Sequence, residues 1–178
     1  GGKTTAACLV PRFWDVLEGS VKIGGIDVRN LAQMDLMEQV AFVFQDTKLL
    51  KGSIYDNIKA ARSGAAREEI LAAAKAAQCD DILAKFPKGI DTVIGTKGTY
   101  LSGGEQQRLA LARAILKDAP IVLLDEATAF ADPENEYKIQ KAFEYLTRGK
   151  TVLMIAHRLS TVQNADCIYV LENGEIVE

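Results

Sequence analysis

The sequence is poor in the residues that most often form metal and redox sites. It has a single histidine, His157, so a zinc site built from several histidines is excluded. Its three cysteines, Cys8, Cys79 and Cys167, are odd in number and widely spaced, with no Cys-x-x-Cys pair. This pattern is typical of reduced thiols and not of a disulfide framework.

Long hydrophobic runs and an excess of basic charge are also lacking. No apolar run approaches the roughly 18 residues that a membrane-spanning helix needs, so we predict no transmembrane segment in these residues. The first residues do not have the charged-then-apolar layout of a signal peptide. The formal net charge of −3 disfavours nonspecific binding to nucleic acid. Hydrophobic residues make up 48% and charged residues 25%, which excludes disordered, collagen-like and coiled-coil classes.

What is present is an alternation of helical stretches with apolar strands, which predicts an α/β fold with a largely parallel sheet. The continuous apolar runs indicate strands that are buried on both faces. Gly24-Gly25 and Asn173-Gly174 predict two hairpin turns. The predicted helices span residues 4–10, 67–78, 105–116 and 133–146, and the predicted strands span residues 40–44, 121–124, 151–155 and 167–171.

Polar residues directly follow three of these apolar runs. They are Gln45, the pair Asp125-Glu126, and His157. Ligands bind beyond the carboxyl ends of parallel strands, so these residues are expected to converge on one crevice. Taken singly, each has an ordinary interpretation: a loop glutamine, a solvated acidic turn and a hydrogen-bonded structural histidine. Their equivalent positions favour a ligand site but do not name its chemistry.

The N-terminus indicates a phosphate ligand. Gly2-Lys3-Thr4 matches the last three positions of the phosphate-loop pattern Gly-x-x-x-x-Gly-Lys-Ser/Thr, although this tripeptide alone is common. In that pattern the lysine neutralises the β- and γ-phosphates, and the threonine hydroxyl binds Mg²⁺. Asp125 is suited to hold Mg²⁺ from the opposite side, and Glu126 to orient or deprotonate an attacking water.

A second anion site is indicated by Leu101-Ser102-Gly103-Gly104-Glu105, directly before the predicted helix at 105–116. The glycines expose backbone N–H groups, Ser102 adds a hydroxyl, and the helix N-terminus supplies partial positive charge. The alternative interpretation is a capped helix start with a glycine turn.

With these residues, the chain resembles the ATP-binding-cassette (ABC) ATPases, specifically the nucleotide-binding domain of an ABC transporter. LSGGEQQ at 101–107 resembles the family signature, and IVLLDE at 121–126 resembles Walker B with its catalytic glutamate. The resemblance implies a P-loop NTPase fold with a mostly parallel core sheet and an incomplete N-terminal β portion. It also implies that residues 1–178 form a partial nucleotide-binding domain, with a helical subdomain at about 46–115.

The resemblance implies that ATP and Mg²⁺ are bound, with Glu126 as general base and His157 as the switch histidine at the γ-phosphate. Gln45 is then the Q-loop glutamine and Asp132 the D-loop aspartate. The nucleotide-binding residues it implies are Gly1, Gly2, Lys3, Thr4, Thr5, Gln45, Ser102, Gly103, Gly104, Glu105 and Asp132. The implied ligands of Mg²⁺ are Thr4, Gln45 and Asp125.

The resemblance also implies partners. A second nucleotide-binding domain would pair head to tail, so that each signature closes over the ATP held by the other phosphate loop. Residues 42–58 and 10–17 are similar to the exporter type, which implies a transmembrane domain fused upstream and a location at the cytoplasmic face of the inner membrane. The region after Gln45 would receive the coupling helices of that domain, whereas the ordinary interpretation of Leu49 and Leu50 is core. No nucleic-acid partner is expected.

Two departures from the exporter pattern are visible. The signature carries Glu105 where glutamine is more usual, and the D-loop reads Ala-Phe-Ala-Asp at 129–132. This combination is similar to the bacterial siderophore-related subgroup, which includes importers, so exporter-like sequence does not imply export.

Two alternatives to a transporter domain stay open. One is a soluble ABC ATPase acting on nucleic acid or ribosomes, which the lack of a basic arm and of a coiled-coil insertion disfavours. The other is an inactive fragment. Because Gly1 lies inside the phosphate-loop pattern, we expect the strand that precedes this loop in the family to lie outside the chain. The isolated chain is then expected to be unstable or to aggregate through an unpaired strand edge.

Overall fold

A parallel sheet of three strands forms the centre of the molecule. The computed structural model describes residues 2–44, 47–95, 99–125, 133–156 and 162–178. The sheet has the order β3 (Val40–Val43), β6 (Ile121–Asp125), β7 (Thr151–Ile155). Val43 lies opposite Leu124, and Asp125 lies opposite Ile155, so the three carboxyl ends meet at one edge. The predicted α/β class and parallel arrangement are confirmed.

Both faces of β3 and β6 are covered, as their continuous apolar runs predict, whereas the first three residues of β7 are exposed. Alternate residues of a strand point to opposite faces. Val43 and Leu124 belong to the main core, whereas Val40 and Leu123 pack with Leu36 in a smaller cluster. The sheet is therefore a rigid support for the residues that follow its carboxyl edge.

The longer helices agree with the sequence predictions to within two residues at each end. The exceptions are three short helices, α2, α3 and α5, which the sequence did not predict because five to seven residues carry too little periodicity. The helices are α1 (Lys3–Leu9), α2 (Gln33–Gln39), α3 (Ile54–Lys59), α4 (Arg67–Ala76), α5 (Asp80–Ala84), α6 (Gly103–Lys117) and α7 (Pro133–Thr147).

The remaining strands form three antiparallel pairs. They are β1 (Lys22–Ile23) with β2 (Ile26–Asp27), β4 (Gly52–Ser53) with β5 (Val93–Ile94), and β8 (Leu171–Glu172) with β9 (Glu175–Ile176). Both predicted hairpin turns are confirmed, with positive φ at both central residues of each turn, as a type I′ turn requires. These φ values are 58° at Gly24, 82° at Gly25, 50° at Asn173 and 89° at Gly174.

The prediction that the strand at 167–171 is buried on both faces is wrong, whereas its predicted hairpin with the segment after Asn173-Gly174 is confirmed. Only Leu171 of this run lies in a strand, β8, and that strand is antiparallel to β9. Tyr169 is 64% exposed. The Asn-Gly turn pairs the run with the segment that follows it, so the amide of Val170 donates to the carbonyl of Glu178 (2.8 Å) and not to the central sheet.

Strand β7 lies at one edge of the central sheet. Within the described residues, no strand pairs with its second edge, and Val152 and Leu153 are 36% and 42% exposed. The expected instability of the isolated chain stays a prediction. No helix in the described part of the chain is both long and apolar enough to cross a bilayer.

Candidate functional site

The carboxyl edge of the central sheet is the first part of the site. Strands β3, β6 and β7 end there side by side, and the sequence places Gln45, Glu126 and His157 within two residues of those ends. These three residues lie outside the described residues, as do Gly1 and Asp132. The convergence of the strand ends is confirmed, and the contacts of these five residues stay predictions.

Asp125, the last residue of β6, carries the most informative side chain at this edge. It is only 5% exposed, and its Oδ1 is buried without a hydrogen-bond partner within the described residues. A buried carboxylate oxygen without a partner is costly, so such an atom calls for a cation or an ordered water. Asp125 therefore fits the predicted role of a Mg²⁺ ligand.

The potential metal ligands at the carboxyl edge of the sheet are oxygen donors. The described residues contain no cluster of three or more histidine, cysteine, aspartate or glutamate side chains. The ligands implied by the sequence, Asp125, Thr4 and Gln45, would supply one carboxylate and neutral oxygens. Hard oxygen donors with one or two carboxylates are what Mg²⁺ uses in nucleotide sites.

Helix α1 packs against β7, the strand next to β6. Gly2 precedes the helix with φ 98° and ψ −5°, a left-handed conformation that favours glycine. Lys3, Thr4 and Thr5 form the first turn of this helix. Burial raises the pKa of the Cys8 thiol in the same helix, and the negative charge of Asp125 raises it further.

The second predicted anion site is the start of α6. Ser102 is the N-cap residue: its Oγ accepts from the amide of Glu105 (3.3 Å), and Oε2 of Glu105 accepts from the amide of Ser102 (2.8 Å). The capped helix start is thus confirmed. Ser102 and Gly103 are exposed, and the first amides of a helix have no intrahelical acceptor. The cap and an anion site are therefore compatible.

Gly104 allows α6 and α7 to approach closely. A Cβ at this position would lie 3.0 Å from both Cβ and Cγ of Asn135 in the first turn of α7. Asn135 cannot easily move away, because Nη2 of Arg108 donates to its Oδ1 (3.0 Å). Glycine is required at position 104 because the gap between α6 and α7 leaves no room for a side chain.

Arg108 is the centre of a buried polar network that the sequence predictions missed. It is 1% exposed and donates to both carboxylate oxygens of Asp81 in α5 (2.6 and 3.1 Å). Burial alone would raise the pKa of Asp81, but hydrogen bonds from Arg108 and Lys138 lower it well below its usual range. The network ties α5, α6 and α7 together. Its only sequence signal is an arginine between the apolar residues of α6.

A buried glutamine joins the segment after Gln45 to the same helix. Thr47 donates from Oγ1 to Oε1 of Gln107 (2.9 Å), and Gln107 is 1% exposed. The two residues are 60 positions apart in the chain. This contact was also missed, because a polar residue in a helix is expected to face solvent.

Replacing Gly104 by alanine is expected to lower the stability of the protein. The methyl group gains up to about 1 kcal/mol of helix propensity, but forcing α6 and α7 apart costs about 1–3 kcal/mol. We expect a net loss, measured as a lower midpoint of urea denaturation. Gly64→Ala is the matched control, because a Cβ there meets nothing within 4 Å. A Gly104→Ala midpoint equal to that of the control would contradict the close helix approach.

The parallel sheet, the phosphate-loop tripeptide before α1 and the acid at the end of the neighbouring strand together define a P-loop nucleoside triphosphatase fold. The family model described as ABC transporter matches residues 1–129. The chain belongs to the ABC transporter family, with its exporter-type nucleotide-binding domain as the corresponding part.

Named relatives agree with this family. The chain is 50% identical over its full length to an ATP-dependent lipid A-core flippase of Syntrophus aciditrophicus, and spans 30% of that protein. It is 51% identical over 99% of its length to the mycobactin import ATP-binding/permease protein IrtA of Mycolicibacterium thermoresistibile, and spans 19% of it. A structure of a bacterial Atm1-family ABC exporter with ATP bound matches 99% of the chain, with TM-score 0.90 and 42% identity, over 31% of that chain.

Proposed function

We propose that this chain binds and hydrolyses ATP and thereby powers the movement of a substrate across a membrane through a fused or associated transmembrane domain. The observation that supports this best is the buried Oδ1 of Asp125, which has no hydrogen-bond partner within the described residues and lies at the carboxyl edge of the sheet. A neutral phosphate-free ligand would leave this charge uncompensated, whereas a nucleotide with Mg²⁺ satisfies it.

Each side chain then has one task at this edge. Lys3 binds the β- and γ-phosphates, and Gly1, Gly2 and Thr5 contribute the surrounding phosphate loop. Thr4, Gln45 and Asp125 hold Mg²⁺, which neutralises charge on the phosphate oxygens when it is bound. Glu126 accepts the proton of the attacking water, and His157 contacts the γ-phosphate.

The second anion site serves the nucleotide of another domain. In the segment Ser102-Gly103-Gly104, of which Ser102 and Gly103 are exposed, a hydroxyl and helix N-terminal amides are available, and we propose that this segment meets the γ-phosphate bound by a second nucleotide-binding domain in a head-to-tail dimer. Asp132 of the D-loop and Glu105 belong to the same interface. Such an arrangement makes hydrolysis depend on dimer closure.

A groove next to this segment supports a docking site for the transmembrane domain. It has a volume of about 430 Å³ and is lined by residues 47–51, 94–95, 99–101 and 106. Leu50 and Tyr100 at its rim are 57% and 79% exposed, so the core interpretation of Leu50 is wrong, whereas Leu49 packs partly against the core. Exposed apolar side chains around a groove are typical of interaction sites. The occupant we propose is the coupling helices, with the domain lying at the cytoplasmic face of the membrane.

The bond between Thr47 and Gln107 supports a route from this groove to the signature helix. A change at the groove alters the segment at 47–51 and, through this bond, α6. ATP-driven closure and movement of the transmembrane domain are then linked by the contact between Thr47 and α6.

Hydrolysis by the full-length protein in lipid tests the proposed function. We expect steady-state ATP hydrolysis that requires Mg²⁺ and is lost in EDTA. The native protein should sediment with membranes. Absence of Mg²⁺-dependent hydrolysis would contradict the ATPase role, and a native protein found only in the membrane-free fraction would favour an ABC ATPase that acts on nucleic acid or ribosomes.

A further inference from the structure

The signature segment carries a negative charge, which weakens the phosphate binding that we propose for it. Glu105 is the third residue of α6 and is 4% exposed. Its carboxylate lies directly at Ser102-Gly103-Gly104, because Oε2 accepts from the amide of Ser102 (2.8 Å). A charge at this distance repels a phosphate and offsets part of the positive end of the helix.

Lys85 supplies the opposite charge from another helix. It follows the last residue of α5, and its ammonium group donates to Oε1 of Glu105, while Oε2 of Glu105 accepts from the amide of Ser102. The Lys85 side chain is 55% exposed and that of Glu105 is 5% exposed, so the ammonium group reaches the buried carboxylate from solvent.

The charge state of Glu105 agrees with this pairing. Burial alone would raise the pKa of its carboxyl, but the bonds from Lys85 and the amide of Ser102 outweigh burial and lower the pKa. Glu105 is therefore ionised at neutral pH. Its negative charge is compensated by the ammonium group of Lys85.

The position of Lys85 is fixed by a second ion pair of opposite polarity. Asp81 lies four residues before Lys85 in α5, and Arg108 lies three residues after Glu105 in α6. Arg108 donates to Asp81 as Lys85 donates to Glu105. Residues three and four apart share a helix face, so the two pairs hold α5 and α6 in one register. Lys85 is thus held beside the signature segment by the fold.

We propose that Lys85 is a positioning residue of the signature segment, which neutralises Glu105 so that Ser102-Gly103-Gly104 can bind the phosphates of the partner domain's nucleotide. This inference rests on the proposed head-to-tail function. It explains how the chain accommodates Glu105, where the resemblance leads one to expect glutamine: the extra negative charge on α6 has a positive partner on α5.

The test compares the same substitution in two backgrounds of the full-length protein. With Glu105 present, Lys85→Met is expected to raise the KM for ATP about fivefold, the order expected for one uncompensated charge near a bound phosphate, with a smaller change in kcat. In the Glu105→Gln background, the same substitution is expected to change KM by less than about twofold, because no carboxylate is left to neutralise. Lys85→Arg should keep the wild-type KM, and exposed Lys88→Met is the matched control.

A change in KM that is equal in both backgrounds, or absent from both, overturns the inference, since the proposed effect of Lys85 acts only through the charge at position 105. If Lys85→Met alone does not fold, the double variant has to restore both folding and KM, and failure to do so also overturns it. Wild-type protein without Mg²⁺-dependent hydrolysis would instead contradict the proposed function.

Discussion

Replacing Glu126 by glutamine in the full-length protein is expected to reduce steady-state ATP hydrolysis at least about 100-fold, the contribution typical of a general base. Glutamine keeps the size of the side chain but cannot accept the proton of the attacking water. Binding of ATP should persist, because phosphate contacts and Mg²⁺ ligands are unchanged. The measurement is phosphate release under saturating Mg²⁺ and ATP, together with nucleotide binding under the same conditions.

Glu144→Gln is the control for this experiment. Glu144 lies on the exposed side of α7, where it pairs with Lys141 (2.9 Å), far from the end of β6. The same chemical change there should leave the rate within about twofold, as is usual for exposed ion pairs. Hydrolysis by Glu126→Gln near the wild-type rate would remove Glu126 from the role of base.

Asp125→Asn is expected to have two effects of opposite sign. Hydrolysis should fall about 100-fold or more, because the neutral amide is a poor ligand for Mg²⁺ and charge on the transferring phosphoryl group is no longer neutralised. The nucleotide-free protein should become no less stable, since the substitution removes a buried charge whose Oδ1 lacks a partner within the described residues. The two measurements are the hydrolysis rate and the thermal unfolding midpoint in EDTA.

Exposed Asp166→Asn serves as the matched control and should change neither quantity. If Asp125→Asn instead lowered the unfolding midpoint by several degrees in EDTA, Asp125 would be a structural residue with a hydrogen-bond role. If the rate were unchanged, it would not be a Mg²⁺ ligand. Only the combination of lost activity and retained stability fits a site that is completed by a cation.

The strands of the central sheet could be predicted from the sequence because each is a continuous apolar run. The runs at 40–44 and 121–124 are continuous and apolar, and they form strands that are covered on both faces. The run at 151–155 also forms a strand, although its first three residues are exposed. The run at 167–171 was expected to be buried but is exposed, because within the described residues it pairs only with the short strand across the Asn-Gly turn. Local sequence can show that a segment forms a strand. How deeply that strand is buried, and beside which strands of the sheet, depends on the rest of the chain.

The site was predictable as a set of short motifs but not as a set of contacts. Asp125 and Ser102 stand in recognisable patterns. Lys85 and Arg108 do not, because their partners lie 20 and 27 residues away, and no periodicity links them. Sequence motifs indicated the groups that we propose to bind the nucleotide, whereas the groups that hold the signature helix in place are evident only from the packing of the helices.

The central claim is that hydrolysis takes place at a site shared by two domains, one supplying Lys3 and the other Ser102. It is tested most directly by comparing Lys3→Ala with Ser102→Arg in the full-length protein, with ATP binding and ATP hydrolysis both measured. Lys3→Ala should lose both. Ser102→Arg should retain ATP binding and lose hydrolysis more than about tenfold, because the signature acts on nucleotide held by the other domain. Hydrolysis by Ser102→Arg at the wild-type rate would contradict the shared site.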